Sequence, residues 1–168
     1  VGTAAQVEET VGIELGEIGG ADPLAIGGIA AVTQAAQATA VSGLGGIGKS
    51  VLARQYGWLA REVYAGVWWI GAETQETLLN GLIDLGAHYI PALKSIAERE
   101  VAAKHALKHI ESGFAKPWLL IYDNVPRPEA IEGWTPRTGA HVLITSRWSE
   151  WYGKARPLTL GLFSRQEA

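Results

Sequence analysis

Eight residues limit what this chain can fold into more than any others: Gly43-Leu44-Gly45-Gly46-Ile47-Gly48-Lys49-Ser50. They fit the pattern G-x-x-x-x-G-K-S/T in full. Glycines at those positions let backbone N–H groups turn inward and surround an anion at close range. Before the loop, Thr39 to Ser42 is a short β-prone run. After it, Leu52, Tyr56, Leu59 and Val63 recur at steps of three and four, which predicts a helix from about Gly48 with one buried face. A helix that opens on such a loop points its positive end at the same anion. The pattern alone is also met by a glycine turn ahead of a helix, so the rest of the chain must decide between the two.

The remaining elements alternate. Gly66 to Ile70 is β-branched and aromatic and predicts a second strand. Thr74 to Tyr89 carries Leu78, Leu82 and Leu85 on one stripe and is read as a helix that Pro91 stops. Ser95 to Glu111 is read as another, with Ser95 and Glu98 in a capping-box pattern. Trp118 to Tyr122 and His141 to Thr145 are apolar runs of the kind buried on both faces of a parallel sheet, and Pro157 to Leu162 is a weaker fifth strand. Strands alternating with helices imply right-handed crossovers and a three-layer α/β domain, spanning about residues 38–163. Residues 1–37 are rich in Gly and Ala without a clean period, Ile29 to Ala38 being at best a short helix. Residues 164–168 read as the capped start of a further helix.

Composition sets the outer limits. Hydrophobic residues make up 48% and charged ones 18%, the balance of a folded domain rather than a disordered chain. A net charge of −3 with no dense Lys/Arg cluster argues against direct nucleic-acid binding. No apolar stretch is long enough to cross a bilayer. The absence of cysteine excludes disulfides and thiolate metal sites and fits a cytoplasmic setting. A first residue of Val rather than Met suggests an excised or processed fragment.

Asp123 ends the run Leu119-Leu120-Ile121-Tyr122, and the carboxyl ends of parallel strands are where such sheets bind ligands. Together with the upstream loop, this favours a phosphate site: Lys49 reaching the β- and γ-phosphates, with Ser50 and Asp123 holding Mg²⁺. Gly43, Leu44, Gly45, Gly46, Ile47, Gly48 and Val51 would add backbone contacts to the nucleotide. Arg147, at the end of another strand, is placed to sense the γ-phosphate. Asn124 follows Asp123 where a carboxylate would serve as a base, and an amide cannot accept a proton at neutral pH. His105 and His109 lie one turn apart between Lys104 and Lys108, and read as a solvated helix face. Of the seven Trp residues, Trp148 and Trp151 are the candidates for a partner surface.

The ordered set 40–50 (AVSGLGGIGKS), 66–73 (GVWWIGAE), 118–125 (WLLIYDNV), 141–147 (HVLITSR) and 158–168 (LTLGLFSRQEA) resembles the NB-ARC family, the STAND class of signalling P-loop ATPases. It is most similar to the bacterial members that carry TPR repeats. The resemblance covers about residues 31–168 and implies a parallel five-stranded sheet of order 5-1-4-3-2. It further implies an ADP-bound closed and an ATP-bound open state, slow Mg-dependent ATP hydrolysis and nucleotide-dependent homo-oligomers. Flanking helical, winged-helix and repeat domains would lie outside this chain. Residues Val1, Gly2 and Thr3 stand where the family has a Gly-Arg-Glu-like adenine motif, with Thr3 in the arginine's place. The alternative is a non-catalytic, nucleotide-stabilised scaffold or transcription-regulator module. An AAA-type motor fits less well, because no arginine finger can be placed.

Overall fold

The computed structural model describes residues 37–46 and 48–159. The expected short helix at residues 29–38, the end of the fifth strand and the helix start at 164–168 fall wholly or largely outside that range. Five strands form one sheet: β1 (Gln37–Ser42), β2 (Gly66–Gly71), β3 (Trp118–Val125), β4 (Ala140–Ser146) and β5 (Arg156–Thr159). All neighbours are parallel and the order is β2-β3-β4-β1-β5, which is the expected 5-1-4-3-2 read from the other edge. The helices are α1 (Lys49–Ala60), α2 (Gln75–Ala87) and α3 (Arg99–Glu111). Among the described residues, no helix is long and apolar enough to cross a membrane.

The alternation of side chains along each strand builds a core on both faces of the sheet. On one face Leu119, Ile121, Val41 and Leu143 pack with Leu52, Ala53 and Tyr56 of α1. On the other, Leu120, Tyr122, Val142 and Ile144 pack with Leu78, Leu82, Ala103 and Leu107 of α2 and α3. This explains why β3 and β4 read as unbroken apolar runs: both of their faces are covered. At the edge, β2 is mostly half-buried, as the sheet order requires.

Three expectations are corrected. The capping box is not at Ser95 and Glu98 but at Thr74 and Thr77, whose side chains and backbone N–H groups bond reciprocally at the start of α2. Residues Pro91–Ser95 form a separate 3-10 turn, Ile96 is extended, and α3 begins only at Arg99. The turn is held by Leu93, buried beside the contact between α2 and α3, so Ser95 ends one element instead of starting another. Trp151 is not on a surface: it is 1% exposed, inside the core, and its indole N–H donates to the carbonyl of Trp148. His105 is exposed as a solvated face requires, but His109 is half-buried against Tyr89 and Phe114.

Helices α2 and α3 touch through Gly86. A Cβ there would lie 2.5 Å from Ala106 Cβ and 2.9 Å from its Cα. Ordinarily Gly→Ala inside a helix stabilises by about 1 kcal/mol. Here the backbone of α3 must yield, and overpacking typically costs about 1–3 kcal/mol. Gly86→Ala is therefore expected to lower stability by about 1 kcal/mol or more in urea denaturation. A gain would mean that the helices separate freely.

Candidate functional site

The loop after β1 owes its shape to glycine. Gly46 and Gly48 have φ of 80° and 95°, values that side-chain-bearing residues rarely adopt. Gly48 is also the N-cap of α1, where no side chain caps the helix and no acidic residue sits in the first turn. The free N–H groups and the positive end of the helix dipole are thus left uncompensated by the protein's own side chains. Lys49 is 8% exposed, and its Nζ donates to the carbonyls of Gly43 at 2.8 Å and Leu44 at 2.6 Å. Its pKa lies below the ordinary lysine value. Burial is the main cause, the charge of Arg147 acts in the same sense, and Asp123 opposes them.

Asp123 is positioned by an irregularity in β3. The ladder with β4 pairs Tyr122 with Ile144 and then Val125 with Ser146, so β3 carries one residue more than its partner. That is a bulge, a device that re-aims side chains near sites. Asn124 sits in it with φ 64°, the only non-glycine residue with positive φ among those described. Asparagine tolerates that region better than most residues. Around the bulge, Ser50 Oγ donates to Asp123 Oδ1 at 2.7 Å and Thr145 Oγ1 donates to the same oxygen at 2.6 Å. Thr145 Oγ1 also accepts from the Asn124 N–H at 2.9 Å. Next to it, Ser146 Oγ donates to the Val125 carbonyl at 2.6 Å and accepts from the Trp148 N–H at 2.9 Å.

These elements enclose a cleft of about 340 Å³, a volume that suits a small-molecule site. It is lined by Gly45, Gly46, Gly48, Lys49, Ser50, Val51, Asp123, Asn124, Thr145 and Arg147. Gly43 and Leu44 stand behind it as the acceptors of Lys49, and Ile47 lies outside the described residues. Arg147 is exposed and crosses the loop; a Cβ at Gly45 would come 3.3 Å from its Cζ. The strand order, the loop between β1 and α1, and the carboxylate on β3 together fix the architecture. This is a P-loop NTPase fold.

No protein-family model matches the chain, and no curated protein does either. Among solved structures, it is similar to the ORC2 protein of Aeropyrum pernix, whose structure was determined in ADPNP-ADP complexes. The identity is 15% and the TM-score 0.49, over 79% of this chain and 43% of that one. The chain thus spans less than half the length of that protein. The sheet order, rather than this likeness, establishes the fold.

Thr145 is the residue that the motifs did not single out. Its signal in the sequence was slight: Thr145 and Ser146 are the hydroxyl residues that end the apolar run of β4. Chemically, the cleft offers an ammonium, a guanidinium and free N–H groups on one side, and a hydroxyl with a carboxylate on the other. The Ser50 and Asp123 oxygens are hard donors that fit Mg²⁺, which takes one or two protein oxygens and completes its shell with water and phosphate. No cluster of three or more His, Cys, Asp or Glu residues suited to a metal occurs among the described residues, so an all-protein cage is not what these donors form.

Proposed function

We propose that this chain is the nucleotide-binding domain of a switch ATPase of the NB-ARC kind, holding ATP or ADP with Mg²⁺. The observation that carries the reading is convergence: Lys49, Ser50, Asp123 and Arg147, from one helix start and two strand ends, line a single cleft. The loop N–H groups and Lys49 bind the β- and γ-phosphates, exchanging the carbonyls of Gly43 and Leu44 for phosphate oxygens. Ser50 and Asp123 hold Mg²⁺, which when bound offsets phosphate charge. Arg147, lying over Gly45, senses the terminal phosphate. Calorimetric titration with ADP and ATP in excess Mg²⁺ tests the reading directly. Micromolar binding is expected, and the absence of binding up to millimolar nucleotide would overturn it.

Hydrolysis is slow in this reading. Asp123 is the only carboxylate among the described residues lining the cleft, and its Oδ1 already accepts two hydroxyls. Asn124 supplies no base. Turnover is expected well below about 10 s⁻¹, the median for enzymes. A phosphate-release assay reaching that rate would show that another base acts. The same two observations favour a second reading, a scaffold that binds nucleotide without turning it over. Phosphate release no faster than from a Lys49→Ala variant would select it.

A further inference from the structure

We infer that Thr145 is a positioning residue that fixes the Asp123 carboxylate for the metal–nucleotide complex; this rests on the nucleotide-binding reading above. The geometry leaves the Thr145 hydroxyl no freedom. Its single proton goes to Asp123 Oδ1 at 2.6 Å, and the Asn124 N–H donates to its oxygen at 2.9 Å. Thr145 is 1% exposed and β-branched, so its χ1 is held by packing and by both hydrogen bonds.

What these two bonds do follows from the bulge. With one extra residue between Tyr122 and Val125, β3 has a left-handed Asn124 whose N–H would otherwise drop out of the ladder. The Thr145 side chain stands in for the missing ladder acceptor and so fixes the backbone on which Asp123 is mounted. Its own proton then fixes the carboxylate rotation. Ser50 Oγ reaches the same Oδ1, so both hydroxyls gather on one oxygen, and among the described residues Oδ2 receives no side-chain hydrogen bond. A carboxylate held by two donors is presented in one orientation and does not have to lose rotamer freedom when the metal complex binds. Thr145 acts through Asp123 and touches neither metal nor phosphate in this account.

The test is the ratio of the ADP dissociation constant in EDTA to that in excess Mg²⁺, measured by calorimetry. Thr145→Val keeps shape but removes the hydroxyl, and the ratio is expected to fall about tenfold, a typical loss when a partner of a metal ligand is removed. Thr145→Ala is expected to give a similar fall, so the test stands even if valine is not accommodated beside Asn124. Thr145→Ser should restore the wild-type ratio. In an Asp123→Ala background, Thr145→Val should change the ratio no further, because its effect passes through the carboxylate. A purely structural role would leave the ratio unmoved or add its loss in both backgrounds, and either result overturns the inference. A wild-type protein that binds no nucleotide would instead take down the functional reading itself, and the inference with it.

Discussion

Lys49→Ala is expected to weaken Mg-nucleotide binding by at least about 100-fold, about 2.8 kcal/mol. The size follows from where the ammonium sits. It is nearly buried, held on two carbonyls of its own loop, and burial and Arg147 both lower its pKa, which marks a positive charge kept at a cost in solvation. A phosphate reaching the cleft relieves that cost, since it sets a full negative charge against an ammonium that otherwise donates to neutral carbonyls. Alanine leaves the loop N–H groups and the helix end in place, so weak anion binding persists. The free protein should keep its stability, because a desolvated charge is removed together with its hydrogen bonds. Two measurements check this. Calorimetry should show the affinity loss, and thermal melts should show that nucleotide at 100 times the wild-type dissociation constant no longer adds its roughly 2.7 kcal/mol. Unaltered affinity would mean that the loop does not grip phosphate through Lys49, and the assignment of the site would fall.

Why the loop was legible while Thr145 was not is a matter of how each is encoded. Gly43 to Ser50 is a contiguous string whose conformation depends on its own glycines: Gly48, which the pattern requires, and Gly46 both take positive φ. The sheet was legible for a similar reason, since Leu119 to Tyr122 and Val142 to Thr145 announce burial on two faces residue by residue. Asp123 could be found because it ends such a run. Thr145 acquires its task only when β4 lies against β3 with one residue of offset, bringing it to Asn124 and Asp123 across 21 and 22 positions of sequence. Nothing local records that offset. The start of α3 failed for a related reason. Ser95 and Glu98 have the spacing of a capping box, but Leu93 is drawn into the contact between α2 and α3, and tertiary packing overrides the local signal.

Trp148 and Trp151 test that same boundary between local and tertiary information. Both lie in the segment joining β4 to β5, which has no period, so their spacing says nothing about which one is inside. The structure separates them: Trp148 is 44% exposed, and Trp151 is 1% exposed in the core. Trp151→Ala is expected to cost about 3–5 kcal/mol, the range for emptying a large aromatic site. That is a large part of the roughly 5–15 kcal/mol by which domains are stable. Trp148→Ala should stay within about 0.5 kcal/mol, as surface changes do. Its backbone carbonyl, which receives the Trp151 indole N–H, survives the substitution. Urea denaturation of the two variants at equal slope makes the comparison. A small loss at Trp151, or a large one at Trp148, would mean that the connection does not pack as described. The consequence reaches the site, because the same connection begins at Arg147 and ends in β5, which pairs with β1 as far as Ser42, next to the loop. Loosening Trp151 should therefore free Arg147 from its place over Gly45 before it disturbs Lys49 or Asp123. In a variant kept folded at low temperature, discrimination between ATP and ADP should fall more than the affinity for ADP itself.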